Sequence, residues 1–175
     1  MKKRGKLGIK ELCIYALIGA LMFALQIVMA ALPNIHMTAV IIIVTASCFG
    51  WGVMWPILVF CMTELLYWGF GLWVLSYFYL WPILGAAAVL MRRNTSALFW
   101  AVVAAVHGLL FGAGSSIPYV FIGGWKMAFA TFVSGIGFDL AHCAGNFILT
   151  LLLYAPLRRA MQAAARGIGM EIIQQ

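Results

Sequence analysis

Apolar residues run along this chain in long uninterrupted stretches, with no alternation of period two and only short polar or Gly/Pro breaks between them. Without water every backbone N–H and C=O must be paired inside the segment, so such stretches predict membrane-spanning helices rather than a barrel. The first is expected from about Leu12 to Leu32, stopped by Pro33-Asn34, because proline disfavours helical geometry in the residue before it. The second, Met37 to Phe49, ends at Gly50-Trp51-Gly52 and is short for a complete span, so it is expected to be tilted little or to be supported by its neighbours. The third (Val53 to Tyr67) and fourth (Tyr77 to Met91) flank an aromatic loop, Trp68-Gly-Phe-Gly-Leu-Trp73. Arg92-Arg93-Asn94-Thr95-Ser96 then breaks the pattern before a fifth helix, Ala97 to Phe111. A long Gly- and Ser-rich loop containing Pro118 and Trp125-Lys126 follows, then a sixth helix from Phe132 to Ala155. The fold class predicted is all-α, a polytopic bundle of six transmembrane helices, with no internal repeat.

Composition agrees. With 66% of its 175 residues hydrophobic and 9% charged, the chain cannot cover a water-soluble globule with polar surface. Residues 1–175 are read as a single membrane domain, with a basic N-terminus over residues 1–11 and an amphipathic tail over 157–175. The net charge of +7 does not point to nucleic acid, since its Lys and Arg sit in short clusters beside apolar spans. Six spans put Lys2, Lys3, Arg4, Lys6, Lys10, Arg92, Arg93, Arg158, Arg159 and Arg166 on one side and leave Lys126 on the other. The first side, holding both termini, is therefore expected to be cytoplasmic. The basic start followed by an apolar run mimics a signal peptide, but the run is long and further spans follow, so retention is expected. Cys13, Cys48, Cys61 and Cys143 lie singly in apolar segments and read as packing residues.

Ionisable groups inside a bilayer cost about 2.5–3.5 kcal/mol each on insertion scales, so their positions are informative. On this topology Asn34, His36, Glu64, His107, Asp139, His142 and Asn146 all fall in the outer half or its loops. Asp139, His142 and Asn146 share one face of the sixth helix at i, i+3 and i+7, a face expected to point inward. Two readings stand for the cluster: mutual hydrogen bonding across helices, or capture of a polar solute from outside. His107 is open between a helix contact and a site residue. Trp68, Trp73, Tyr77, Tyr79, Trp81, Phe121 and Trp125 lie around the same region, either as interfacial anchors or as walls that stack on a ring-containing solute. Ala16, Ala20 and Ala24, with Gly19, form a small-residue stripe on the first helix, which suits internal packing or docking of another membrane protein.

Taken together, the six-helix plan, the Ala16-x-x-x-Ala20-x-x-x-Ala24 stripe, Pro33-Asn34-Ile35-His36 and the closing Asp139-x-x-His142-x-x-x-Asn146 pattern before Pro156-Leu157 resemble the S components of energy-coupling factor (ECF) transporters. The resemblance covers nearly the whole chain. It implies a multi-pass protein of the prokaryotic cell membrane, not an enzyme, that captures a vitamin or similar micronutrient in an outward pocket. It further implies docking through Ala16, Ala20 and Ala24 onto a transmembrane scaffold subunit, with two ABC ATPases using ATP and no cofactor bound by this chain. The absence of a GxxxxGK[ST] loop agrees with energy supplied from elsewhere. Asn34, His36, Glu64, Trp68, Trp73, Tyr77, Trp125, Asp139, His142 and Asn146 are the expected substrate-binding residues. A membrane metalloenzyme using His36, Glu64, His107, Asp139 and His142 is the alternative, though neither HExxH nor paired ExxH motifs occur. A stand-alone transporter would call for inverted repeats and broken midplane helices, and neither is visible.

Overall fold

The computed structural model describes residues 8–31, 35–170 and 172. They form helices α1 (Ile9–Val28), α2 (Thr38–Phe49), α3 (Met54–Trp68), α4 (Leu72–Leu90), α5 (Ala97–Ser115) and α6 (Ile117–Gly167), with a 3-10 turn at Gly50–Val53 between α2 and α3. Five helical stretches are long and apolar enough to cross a membrane, counting Thr38–Trp68 as one. The chain is thus all-helical and has the make-up of a multi-pass membrane protein.

Side-chain pairs fix the relative directions. α1 and α3 run in the same sense, Gly19 beside Pro56 and Val59 and Phe23 against Tyr67. α3 and α4 are antiparallel, with Phe60 stacked on Tyr77 and Gly85 beside Ile57. α4 and α5 are likewise antiparallel, Tyr77 meeting Phe111 and Trp81 meeting His107. α5 and α6 form a hairpin, in which Asn146 donates to the Ala104 carbonyl and Trp100 packs on Tyr154. α2 runs with α6, since His36 meets His142 and Ser47 meets Tyr154. The Thr38–Trp68 stretch therefore reverses at its 3-10 turn instead of crossing the bundle once.

The short second helix sits at the centre. All 12 residues of α2 are buried, which is what an apolar helix without a polar face requires. Two of its three hydroxyls are satisfied locally, Thr45 donating to the Ile41 carbonyl at 2.7 Å and Ser47 to that of Ile43 at 2.9 Å, whereas Thr38 Oγ1, at the start of the helix, has no partner. Around it Met22, Ile57, Phe60, Trp81, Leu84, Trp100 and Tyr154 are almost fully buried. Between helices in lipid, such close packing supplies the attraction that water supplies in soluble cores.

Both described ends of the chain meet at one end of the bundle, where Lys10 donates to the Ile168 carbonyl at 3.4 Å. The Arg92-Arg93 turn lies at the same end, because Trp100, one turn into α5, contacts Tyr154 low on α6. We call this the terminal end and its opposite the far end. The tail expected after Pro156 is continuous with α6: Leu157 and Met161 pack on the core, Ala165 is buried, and Arg159 and Arg166 face out. Proline removes one helical hydrogen bond there without ending the helix.

The largest departure from expectation lies before α6. The Gly- and Ser-rich segment read as a loop is helical from Ile117 onward, and the only break is a kink where Gly123 and Gly124 leave helical geometry. Gly124 has φ 68°, a left-handed turn that a side chain would strain. Glycine punctuates helices in water but is common inside membrane helices, so it misled the reading of Gly112 and Gly114 as loop residues. Similarly α4 begins at Leu72, leaving only residues 69–71 outside helix in the aromatic loop, whereas α1 ends earlier than Leu32, at Val28. Its last turn tightens, Ala30 N–H reaching Ile27 O at 3.2 Å.

Candidate functional site

At the far end, the first turns of α4, the last turn of α5 and the middle of α6 enclose a cavity of about 360 Å³. Trp73, Tyr77, Phe111 and Phe138 supply aromatic walls, and Ser76, Ser115, Thr131, Ser134 and Asp139 supply oxygens. Each hydroxyl proton is already used within its own helix. Ser76 donates to the Trp73 carbonyl at 2.6 Å, Ser115 to that of Gly112 at 3.1 Å, Thr131 to that of Met127 at 3.0 Å and Ser134 to that of Thr131 at 2.9 Å. What these side chains keep is lone pairs. Tyr77 differs, since its oxygen accepts from Gln26 Nε2 of α1 at 3.4 Å.

Asp139 is the one charged residue in the lining, and it is buried. Its Oδ1 accepts the Gly112 backbone N–H at 2.9 Å, while Oδ2 has no partner. Gly112 makes this possible, because a Cβ at that position would run into the Asp139 carboxylate. A buried acceptor without a partner costs about 1–3 kcal/mol, more when charged, so Oδ2 is a destabilising feature of the empty fold.

Phe111 and Tyr77, 5.8 Å apart, close the floor. Behind them lies a second polar layer holding every histidine of the chain. His142 is 4.9 Å from His36 and 6.5 Å from His107 between ring centroids, and Trp81 lies 5.2 Å from His107. His107 bonds the Leu80 carbonyl at 3.1 Å through Nε2, and Asn146 donates to that of Ala104 at 3.1 Å. Yet His36 Nδ1, His107 Nδ1, both nitrogens of His142, Trp81 Nε1 and Asn146 Oδ1 lack partners. In the segment before α2, burial pushes the His36 imidazole down to about 4, with nearby His107 adding to the shift, so this ring is neutral at pH 7. Among the described residues no group of three His, Cys, Asp or Glu is arranged to hold a metal ion.

The expected site residues divide accordingly. Trp73, Tyr77 and Asp139 line the cavity; His36, His142 and Asn146 form the layer beneath, and Asp139, His142 and Asn146 do share the buried face of α6. Trp68 stands at the rim, 6.2 Å from Trp73 and half exposed. Glu64 is fully buried near the end of α3 but does not line the cavity. Trp125 is displaced from the site: 79% exposed, it belongs with Phe121, Phe129 and Phe132 to a separate apolar groove on the α5–α6 hairpin. It was expected in a Gly- and Ser-rich loop, as an interfacial anchor or a stacking wall, and the helix that replaces the loop holds it apart from the cavity. Asn34 lies outside the described residues. His107, left open by sequence, is both a helix contact and a member of the histidine layer. Phe111, Gly112 and the cavity serines went unnoticed; only the His107–Phe111 spacing of four, one helical turn, hinted at a shared face.

The alanine stripe separates from its glycine. Ala16, Ala20 and Ala24 are exposed, whereas Gly19 is buried on the other face of α1, where a Cβ would meet Val59 and the Pro56 carbonyl at 2.6 and 2.7 Å. Internal packing is thus the task of Gly19, and the alanines are left without it. Comparison with protein-family models, with curated proteins and with solved structures gives no match to this chain.

Proposed function

We propose that this protein is the substrate-capture subunit of an ECF-type importer of the prokaryotic cell membrane. It binds a vitamin-like micronutrient in the far-end cavity and docks on a transmembrane scaffold whose two ABC ATPases consume ATP. The observation that carries the reading is a buried carboxylate, Asp139, with one oxygen unpartnered, lining a cavity with aromatic walls set over a layer of unpartnered His nitrogens. Binding sites join apolar walls to a few convergent polar groups in this way. In this reading both termini and Arg92-Arg93 are cytoplasmic, as the positive-inside rule expects of six alternating helices with α2 and α3 counted separately. The cavity then opens outward. The exposed alanines of α1 let a partner helix approach closely.

Replacing Ala20 by Trp tests the division of labour. Ligand binding by the isolated protein should survive while uptake in cells with the ATPase module collapses; parallel loss of binding and folding would return the stripe to an internal role. Orientation is checked independently by cysteines placed at Arg93 and Lys126, the first expected to label only from inside and the second only from outside. Outside labelling at position 93 would remove the outward-facing cavity from the argument.

A further inference from the structure

Resting on that reading, we infer that the ligand is a flat heterocycle, neutral or cationic, that presents several N–H donors, and that anionic ligands are rejected. The wall chemistry is one-sided. Asp139 Oδ2 has no partner, and the hydroxyl protons of Ser76, Ser115, Thr131 and Ser134 all point back to helix carbonyls. The Gly112 N–H, the one backbone donor seen aimed across α5 and α6, is already taken by Asp139 Oδ1. Among the side chains that line this cavity, Ser115, Thr131 and Ser134 keep lone pairs and Asp139 brings a carboxylate, while Ser76 is fully buried; the Trp73 indole N–H is the donor set against them.

Charge points the same way. No Lys or Arg is among the described residues that line the cavity, so a carboxylate or phosphate entering it would meet the Asp139 charge without a counter-ion. Ring character follows from Trp73, Tyr77, Phe111 and Phe138, whose faces and edges favour a planar π system, and the volume of about 360 Å³ suits one ring or a fused pair. An amino-substituted pyrimidine or purine-like ring satisfies all of these conditions. Its N–H groups would meet the Asp139 carboxylate.

Three rings of one size provide the test, with the full-length protein in lipid nanodiscs and binding read by calorimetry and thermal stabilisation. The probes are 2,4-diaminopyrimidine, uracil, in which carbonyl acceptors replace the amino donors, and orotate, which adds a carboxylate. The expected order is 2,4-diaminopyrimidine first, uracil roughly ten- to a hundred-fold weaker, and orotate without measurable binding. Asp139→Asn should erase the difference between the first two, since the amide offers a donor where the carboxylate had none. The wild-type order stands as evidence even if that variant misfolds. Uracil or orotate binding as tightly as 2,4-diaminopyrimidine overturns the inference and leaves the cavity as a binding site. Failure of all three, with no small molecule released when the purified protein is denatured, overturns both the inference and the capture reading.

Discussion

The two ends of the bundle differ in how their polar groups are partnered, with the buried Thr150 Oγ1 the unpartnered exception toward the terminal end. At the terminal end Trp100 donates to the Asn94 carbonyl at 2.9 Å, Ser96 caps α5 by accepting from Phe99, and Ser47 meets Tyr154 at 3.4 Å. At the far end Asp139, His36, His142 and Trp81 are buried, yet each leaves at least one polar atom without a partner. Polar groups that bond to one another hold helices together, whereas polar groups left unbonded in a buried place weaken the empty fold. A protein retains the second kind where something else completes them. The terminal end therefore reads as scaffold, and the far end as a receptacle whose cost is offset when it fills.

This contrast is broken most severely at Gly112. Valine there would force the Asp139 carboxylate away from its backbone donor while leaving the terminal end untouched. Binding of the best pyrimidine probe should fall about a hundred-fold or more, since both the placement of the charge and the cavity volume are lost. Circular dichroism should show unchanged helix content. Retained affinity in a folded Gly112→Val protein would mean that Asp139 does not face the ligand.

How much of this was written legibly in the sequence depends on the kind of signal. The apolar stretches gave α2 and α3 to within a residue or so, because their ends carry Gly50-Trp51-Gly52 and Trp68-Gly69, where glycine adopts positive φ at Gly50 and Gly69. The inward face of Asp139, His142 and Asn146 followed from helical spacing alone. Spacing could not place Gly112 opposite Asp139, 27 positions apart, since that pairing depends on the register of the α5–α6 hairpin. Nor could it separate Gly19 from Ala20: adjacent small residues look alike in sequence, and only the packing of α3 decides which is covered. Trp125 failed for a further reason. Glycine and serine between apolar runs were taken as loop chemistry from aqueous proteins, where an exposed helix of that composition would not hold.

The sharpest comparison uses one substitution at each end. His142→Leu removes both unpartnered ring nitrogens from the layer beneath the cavity and keeps an apolar side chain of comparable bulk. The empty protein should become more stable by about 1–3 kcal/mol, because a buried polar group without a partner is replaced by one that needs none. Binding of the same probe should weaken about tenfold if the layer touches the ligand or orients Phe111, which lies 5.0 Å from His142. Tyr154→Phe at the terminal end has the opposite pattern and the smallest effect. It removes the hydroxyl that meets Ser47 at 3.4 Å, so stability should drop by about 0.5–1.5 kcal/mol while affinity stays within experimental error. Reversible unfolding in mild detergent gives both stabilities, and calorimetry gives both affinities. If His142→Leu instead destabilises the empty protein as much as Tyr154→Phe does, the histidine layer is bonded in the resting state and belongs with the scaffold.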